Sequence, residues 1–278
     1  MKLITFLKNG VERVGVLSGD EQTVTPLPVA DMNALIESGE IPAPVEEEIP
    51  LSEVTLLAPI PRPRQDVICL GINYKAHAQE AERYSEAFLK EKPIPIYFSK
   101  RVSEAVAPEG FIESHPGLVE RLDYEAELAL IIGKRAKDVP AEKAEEYIFG
   151  YTVLNDVSAR VLQTSHKQWY FGKSLDGFTP IGPCIVTADE IPFPPKLKIT
   201  ATVNGELRQD STTDLLITGI PEIIAELSSG MTLLPGTIIA TGTPSGVGMG
   251  FDPPKFLKSG DVVECAVEGI GTLRNIVR

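Results

Sequence analysis

Hydrophobic and polar residues alternate in short runs along most of the chain, and glycine, proline or asparagine separates the runs. Residues 3–17 and 196–209 each hold two such runs around an Asn-Gly pair, which predicts β-hairpins turning at Asn9-Gly10 and Asn204-Gly205. Other apolar runs predict buried strands. These runs are DVICLG (66–71), PIYFSK (95–100), AELALIIGK (126–134), GYTVLNDV (150–157), GTIIATGTP (236–244) and DVVECAVEGIGTLRNIV (261–277).

Fewer segments are typical of helices. Residues 31–40 predict a short helix that Asp31 caps at its start and Gly39 at its end. Further helices are predicted at 73–92, 140–148, 158–163 and 220–230. Strands therefore outnumber helices, which favours an α+β, β-rich fold. Proline-rich connectors at 42–50 and 58–65 divide the chain into a small β-rich N-terminal domain, residues 1–58, and a main domain, residues 59–278.

Composition narrows the class of protein. The chain has 278 residues, 43% of them hydrophobic, which is enough for a large core. A net charge of −13 argues against a nucleic-acid partner, because phosphate binding needs clustered lysine and arginine. No apolar stretch approaches the roughly 20 residues of a membrane span. The three cysteines lack metal-site spacing and predict buried free thiols in a reducing cytoplasm: Cys69, Cys184 and Cys265.

Three acids lie within five positions in RLDYEAELALIIGK, residues 121–134. Side chains alternate between the faces of a strand, so Glu125 and Glu127 share a face, as does Asp123 if the strand begins that early. Two buried carboxylates on one face need a counter-charge, and Mg²⁺, Mn²⁺ or Ca²⁺ suits oxygen ligands. The alternative is an acidic strand edge that faces solvent.

A fourth acid, Asp156, lies where an apolar strand ends in VLNDVSAR. Together with Glu125 and Glu127 it would complete three carboxylates around a divalent cation, with water in the remaining positions. The alternative is that Asp156 caps the helix predicted at 158–163.

Other polar groups in apolar surroundings suggest catalysis. His77 and Glu80 share a helix face at i, i+3 spacing, so the carboxylate can orient the imidazole as a general base; the alternative is a surface pair. Lys173 lies among aromatic residues and could steady an enolate or carboxylate. Thr241 and Thr243 belong to a glycine-rich loop whose N–H and hydroxyl groups could bind an anionic oxygen.

Six ordered segments resemble the fumarylacetoacetate hydrolase family. The segments are GINYKAHAQE, DYEAELALIIGK, GYTVLNDVSARVLQ, FGKSLDGFTPIGP, VNGELRQ and ATGTPSGVG. The resemblance is closer to the shorter branch, which contains acylpyruvate hydrolases, oxaloacetate decarboxylases and decarboxylase/isomerases of aromatic catabolism. That branch often carries a small N-terminal β-rich extension. The resemblance implies a mixed β-roll fold, a homodimer and a Mg²⁺ or Mn²⁺ centre.

The resemblance also implies roles for individual residues. The implied metal ligands are Glu125, Glu127 and Asp156. The implied catalytic residues are His77 and Glu80, as a water-activating dyad, and Lys173, beside the substrate oxyanion. The implied substrate contacts are Arg160, Gln163, Thr243 and Gly242. Residues 81–91 are expected to act as a lid, and Gly71 to allow a sharp turn before it.

The implied reaction is metal-dependent hydrolysis of a C–C bond in an acylpyruvate, such as fumarylpyruvate or acetylpyruvate, to pyruvate and a carboxylic acid. Three alternatives stay open. They are a decarboxylase or isomerase of oxaloacetate or unsaturated 2-oxo diacids, a hydrolase of 2,4-diketo-3-deoxy sugar acids, and an inactive binding protein that keeps the fold. A diacid would need further cations, for which Lys100 and Arg101 are candidates unless they are surface charges.

Overall fold

The computed structural model describes residues 1–81 and 94–278. The strands are β1 (Lys2–Lys8), β2 (Val11–Leu17), β3 (Thr23–Pro26), β4 (Ile49–Pro50), β5 (Thr55–Leu56), β6 (Val67–Gly71), β7 (Ile96–Lys100), β8 (Phe111–Ile112), β9 (Leu122–Asp123), β10 (Ala126–Ile132), β11 (Ile148–Asn155), β12 (Ser158–Ala159), β13 (Ile181–Thr187), β14 (Lys198–Val203), β15 (Glu206–Thr212), β16 (Ile238–Ala240), β17 (Val262–Val267) and β18 (Gly271–Val277). The α-helices are α1 (Met32–Ser38), α2 (Lys75–Ala81), α3 (Arg160–Ser165), α4 (Tyr170–Lys173) and α5 (Ile220–Gly230). The predicted α+β, β-rich class is confirmed.

The predicted hairpin turns and the predicted caps of α1 are present. Both Asn-Gly pairs have positive φ, 52° and 78° in each case, which is the backbone that a tight hairpin requires. Asp31 accepts a hydrogen bond from the backbone N–H of Ala34 at 2.7 Å, and Gly39 ends α1 at φ 71°. The lid predicted at 81–91 falls almost wholly outside the described residues.

Two main sheets form the described part of the chain. Eleven strands form the larger sheet in the order β4-β3-β2-β1-β13-β11-β10-β16-β6-β7, with β5 also paired to β1. A second sheet has the order β15-β14-β17-β18-β8. Strand β10 lies inside the larger sheet and is buried along its whole length. It therefore gives the larger sheet a rigid centre.

The core occupies both faces of β10. Leu128 and Leu130 pack into one apolar cluster with the inner face of the second sheet and with helix α5. Ala129 and Ile131 point the other way, into a second cluster that includes helix α1. This alternation is the period of two expected for a strand, but with apolar partners on each side.

The N-terminal segment continues the larger sheet. Strand β1 pairs with β13 antiparallel, with Leu3 opposite Ile185, and so joins the first residues of the chain to the main domain. Leu3 is fully buried in the cluster that contains α1. The division into domains at residue 58 stays a prediction, because the segments on either side of it share a sheet.

Strand directions bring four chain segments to one edge of the larger sheet. Strand β10 runs antiparallel to both β11 and β16, and β16 runs parallel to β6. The start of β10 therefore lies beside the ends of β11, β16 and β6. Every helix in the described ranges is too short or too polar to cross a membrane. The three cysteines are buried free thiols, as predicted.

Candidate active site

Three carboxylates meet at that edge. One oxygen each from Glu125, Glu127 and Asp156 lies within 4.8 Å of the other two, and all three residues are buried. The adjoining backbone holds them there, because Asp156 donates its N–H to the carbonyl of Glu125 at 2.9 Å. Burial rules out the solvent-facing acidic edge. Asp156 does not cap a helix either, because α3 begins at Arg160 without a side-chain cap.

Two buried lysines contact the acid cluster. Lys173 Nζ lies 2.9 Å from Glu125 Oε2 and 2.6 Å from Asp156 Oδ2, so it bridges two of the three acids. Lys100, whose side chain is 0% exposed, donates to Asp156 Oδ1 at 2.6 Å and to the carbonyl of Lys173. Lys100 is therefore not a surface charge, and it does not line the substrate cavity described below. The suggestion that it binds a second substrate carboxylate is wrong.

Arg160 connects the cluster to a fourth buried acid. Its Nε donates to Asp123 Oδ2 at 2.8 Å, and its Nη1 donates to Glu125 Oε1 at 2.5 Å and Gln163 Oε1 at 3.2 Å. Asp123 also accepts the backbone N–H groups of Gly248 and Met249 at 2.7 and 3.0 Å. Asp123 thus orients the arginine and fixes a loop at the site, a role that strand alternation did not predict.

The buried charges leave an excess of negative charge around Glu127. Four acids, those of the cluster and Asp123, face three cations, Lys100, Lys173 and Arg160, which leaves one negative charge in excess. Glu127 Oε2 accepts the N–H of Gly242 at 2.8 Å, but Glu127 Oε1 has no hydrogen-bond partner in the part of the chain that the structure describes. Burial, and then the charges of Asp156 and Glu125, raise the pKa of Glu127 well above its usual range.

Glu125 and Lys173 are both held in their charged forms, unlike Glu127. Burial alone would raise the pKa of Glu125, but the charges of Lys173 and Arg160 lower it below its usual range. Burial alone would lower the pKa of Lys173, but Asp156 and Glu125 raise it, so the ammonium stays charged. Glu125 and Lys173 therefore form an ion pair, while a negative charge on Glu127 would be uncompensated.

A divalent cation fits this donor set. An unpartnered, buried carboxylate oxygen is costly unless it binds a cation or a proton. Three carboxylates within one ion's reach are the oxygen ligands that Mg²⁺ and Mn²⁺ prefer. The buried acidic cluster can therefore bind a divalent metal through Glu125, Glu127 and Asp156.

The predicted dyad is present on helix α2. His77 Nδ1 lies 3.1 Å from Glu80 Oε2, and both side chains are largely shielded from solvent. Glu80 Oε1 accepts the backbone N–H of Gly246 at 2.9 Å, so both of its oxygens are held. Gly250 packs against this carboxylate so closely that a Cβ there would lie 2.1 Å from Glu80 Oε1. The loop after β16 thus positions the acid of the dyad.

A cavity of about 320 Å³ opens beside these groups. Its polar lining residues are His77, Glu125, Arg160, Gln163, Thr164, Lys167, Lys173 and Thr243. Trp169 and Phe98 form an apolar wall, with their rings edge to face at 5.2 Å. Gly71 makes room for the Trp169 ring rather than for a turn, because a Cβ at Gly71 would lie 2.2 Å from that ring. The left-handed backbone expected at Gly71 occurs instead at Ile72, with φ 54°.

The polar groups of the loop after β16 bind other parts of the protein rather than facing the cavity freely. Thr243 lines the cavity, but its hydroxyl donates to the carbonyl of Ala126 at 2.9 Å and accepts from Gln209 at 2.8 Å. Gly242 uses its N–H on Glu127, and the Thr241 hydroxyl donates to the backbone at 2.8 Å. These groups therefore hold the start of β10, and their contact with substrate stays a prediction.

The remaining predicted cation, Arg101, lies outside the cavity. Its side chain is 68% exposed and reaches Asp66 only at 4.0 Å, so it is a surface charge. The site residues that the sequence patterns do not select are Lys167, Trp169 and Gln209. Lys100 and Asp123 are among the candidates, but for roles other than the ones found. The signal for Lys100 is that it is the single charge in an otherwise uncharged strand segment.

Family models match both parts of the chain. The model described as Fumarylacetoacetate (FAA) hydrolase C-terminal matches residues 66–278. The model described as Rv2993c-like, N-terminal matches residues 1–59.

Individual relatives are similar over most of their length. The protein named oxaloacetate tautomerase YisK of Bacillus subtilis is 49% identical over 225 residues, which is 81% of this chain and 73% of the relative. The solved structure of a fumarylacetoacetate hydrolase from Exiguobacterium antarcticum is 40% identical, with a TM-score of 0.90 over 100% of this chain and 99% of that one. A 2-hydroxyhepta-2,4-diene-1,7-dioate isomerase from Mycobacterium marinum is 34% identical, with a TM-score of 0.83 over 100% and 98%.

Proposed function

This chain belongs to the fumarylacetoacetate hydrolase family of enzymes, and we propose that it is a metal-dependent tautomerase that interconverts the enol and keto forms of oxaloacetate. Support comes from the 49% identity to a protein named oxaloacetate tautomerase. The dioate isomerase at TM-score 0.83 also rearranges a diacid, to judge by its name. Acylpyruvate hydrolysis, the reaction expected from the sequence, becomes the second candidate.

The observation that carries the proposal is an unpartnered donor on Arg160, a residue that lines the cavity. Arg160 Nη2 is buried and has no hydrogen-bond partner among residues 1–81 and 94–278, although Nε and Nη1 of the same guanidinium are fully engaged. A buried N–H of this kind is stabilised by an anionic oxygen, and a substrate carboxylate supplies one. Gln163 lies beside the arginine, so the two residues are suited to orient the carboxylate next to the 2-oxo group.

Tautomerisation needs only proton transfers. The enol loses the proton of its C2 hydroxyl and gains one at C3, so the atoms balance without any other reactant. His77 is suited to carry the proton: its Nδ1 contacts Glu80, which leaves Nε2 to exchange a proton with the substrate. The charged Lys173 ammonium stabilises negative charge that develops on the C2 oxygen.

The acid cluster contributes the remaining chemistry. When bound by Glu125, Glu127 and Asp156, Mg²⁺ or Mn²⁺ would act as a Lewis acid toward the 2-oxo group. Lys100 and Lys173 hold Asp156 from opposite oxygens, which keeps that ligand in a single orientation.

Hydrolysis of an acylpyruvate is the second candidate because of one specific similarity. The structure with TM-score 0.90 is named a fumarylacetoacetate hydrolase. Here the His77–Glu80 pair would take a proton from water as the water attacks the distal carbonyl. The two reactions differ in product, because hydrolysis releases pyruvate and tautomerisation releases nothing.

The test follows both products with one purified protein. Enol oxaloacetate is added with Mg²⁺ or Mn²⁺, and the loss of its ultraviolet absorbance is compared with the rate in the same buffer without protein. In parallel, acetylpyruvate and fumarylpyruvate are supplied and pyruvate is measured enzymatically. We expect faster loss of the enol, abolished by EDTA and restored by the metal. A rate equal to that of metal and buffer would exclude the tautomerase, and pyruvate release would favour the hydrolase.

A further inference from the structure

We propose that Lys167 is a specificity-determining residue that binds the second carboxylate of a diacid substrate. The inference rests on the proposed function, because it names the feature of the substrate that the same cavity selects. Lys167 lies in the loop between α3, which carries Arg160 and Gln163, and α4, which carries Lys173. It lines the cavity together with these residues.

The first argument is the charge of the cavity wall. The described lining contains one acid, Glu125, and three permanent cations, Arg160, Lys167 and Lys173. The lining thus carries more cations than acids, and the further acids of the site, Asp123, Glu127 and Asp156, lie behind it. An anion that contacts the lining cations is therefore favoured over a neutral molecule.

The second argument is which of these cations is already neutralised. Arg160 is paired with Asp123 and Glu125, and Lys173 is paired with Glu125 and Asp156. Lys167 forms no ion pair with any residue in the described ranges. Its ammonium is therefore the lining charge that remains for a ligand.

The third argument is position. Arg160, Gln163 and Lys173 surround the acid cluster, where the 2-oxo acid end of a substrate would bind. Trp169, two residues after Lys167, forms an apolar wall with Phe98, and Lys167 is the charged group that the same loop adds to the lining. A distal carboxylate that extends along this wall would find its counter-charge at Lys167.

The two cations that the sequence suggested for this role are excluded. Lys100 is fully buried behind Asp156, and Arg101 is exposed outside the cavity. Lys167 is therefore chosen from the structure, whereas the sequence had suggested Lys100 and Arg101.

Three substitutions at Lys167 separate charge from fold. Lys167→Gln removes the charge and keeps a polar side chain. Lys167→Gly removes the side chain, and the local φ of 61° is one that glycine adopts without strain, so folding is preserved. Lys167→Arg keeps the charge. Lys143→Gln is the matched control, because Lys143 is exposed, forms no ion pair in the described ranges and lies just before β11, at the end remote from Asp156.

Binding is measured by calorimetry on the Mg²⁺-loaded protein with 2-oxoglutarate and 2-oxopentanoate, which have equal chain length but differ by the distal carboxylate. We expect Lys167→Gln and Lys167→Gly to weaken 2-oxoglutarate binding roughly fivefold, as for a solvent-accessible ion pair, and to leave 2-oxopentanoate binding unchanged. Lys167→Arg and Lys143→Gln should match the wild type. The same selectivity is expected in kcat/KM for oxaloacetate against its 4-methyl ester.

The outcomes separate this inference from the proposed function. Suppose that the wild type does not turn over oxaloacetate but prefers 2-oxoglutarate, and that the Lys167→Gln and Lys167→Gly variants lose this preference. The proposed tautomerase activity is then wrong, and the diacid subsite is supported. If both 2-oxo acids weaken equally, or neither changes, the assignment of Lys167 is overturned. Failure of the wild type to prefer 2-oxoglutarate over 2-oxopentanoate would overturn it as well.

Discussion

Glu127 is the residue at which metal binding and stability can be separated. Its Oε1 has no hydrogen-bond partner among the described residues, and its pKa is raised by burial and by neighbouring acids, so its charge is unfavourable without a cation. We expect Glu127→Gln, in EDTA, to unfold at no lower temperature than the wild type. Saturating Mg²⁺ should stabilise the wild type by about 2.7 kcal/mol at a hundred times Kd, and the variant by almost nothing.

Thermal unfolding with and without Mg²⁺ measures both effects. The matched control is Glu142→Gln, which removes the same charge from an exposed position on a 3-10 turn. That variant should keep the full response to Mg²⁺. A response of normal size in Glu127→Gln would mean that Glu127 is not a ligand.

Substitution of Lys100 measures how much the free energy of unfolding falls when a buried ion pair loses its cation. It holds Asp156 Oδ1 at 2.6 Å and is fully enclosed, so Lys100→Met leaves a buried carboxylate with one cation fewer. We expect a loss of about 3–5 kcal/mol in the free energy of unfolding, measured by urea denaturation. Lys198→Met removes an exposed partner 3.4 Å from Asp210 and should cost at most about 1 kcal/mol. Equal costs for the two variants would contradict the structural role of Lys100.

The acids of the site could be predicted from sequence, but their partners could not. Glu125, Glu127 and Asp156 stand out because each is a charge beside an apolar strand. The sequence leaves Lys100 open as either a substrate contact or a surface charge, because nothing local indicates that a strand end lies against Asp156, 56 positions later. The role of Asp123 is equally out of reach of local patterns, since its contact with Gly248 spans 125 positions.

At the scale of elements, the contact between the loop after β16 and the Glu80 side chain of helix α2 requires a small residue at position 250. Gly250 leaves no room for a Cβ, which would lie 2.1 Å from Glu80 Oε1. Gly250→Ala should displace the Glu80 carboxylate from His77 and lower kcat by about tenfold or more, part of the 10²–10⁴ that general acid–base catalysis contributes. Steady-state kinetics at saturating metal measures the change.

A double-mutant cycle identifies the cause. Glu80→Ala removes the side chain that an alanine at 250 would strike, so Gly250→Ala should cost nothing further in that background. Gly230→Ala is the control, because a Cβ there would lie more than 4 Å from the atoms of the described residues around it. Additive losses in the double variant would show that Gly250 acts on something other than Glu80.

Elements with local signals were predictable, and their pairing was not. The hairpin turns, the caps of α1 and the end of α5 at Gly230 each follow from two or three neighbouring residues. The order of strands in the larger sheet depends on contacts distant in sequence. Strand β1 pairs with β13, about 180 positions away, and no local pattern in either strand identifies the partner.

At the scale of the whole molecule, that pairing joins the N-terminal segment to the strands of the site. Strand β1 pairs with β13, β13 with β11, and β11 with β10, so residues 2–8 and the acid cluster lie on one continuous sheet. The cluster of buried residues around α1 includes Leu3 from the first strand and Ala129 from the fourth along this path. Unfolding of residues 1–58 would therefore expose the edge of β13 and open this core.

We expect this continuity to make the chain unfold in one step. Scanning calorimetry of the full chain should give a single transition whose calorimetric and van't Hoff enthalpies agree. Saturating Mg²⁺ should move that transition upward as a whole, because a ligand that binds only the folded state stabilises every element that unfolds with the site. A Leu3→Ala variant should lower the same transition, since it opens a cavity in the shared core at a cost of about 2–5 kcal/mol. Two transitions, with only one responding to Mg²⁺ and only the other to Leu3→Ala, would mean that residues 1–58 fold as an independent domain.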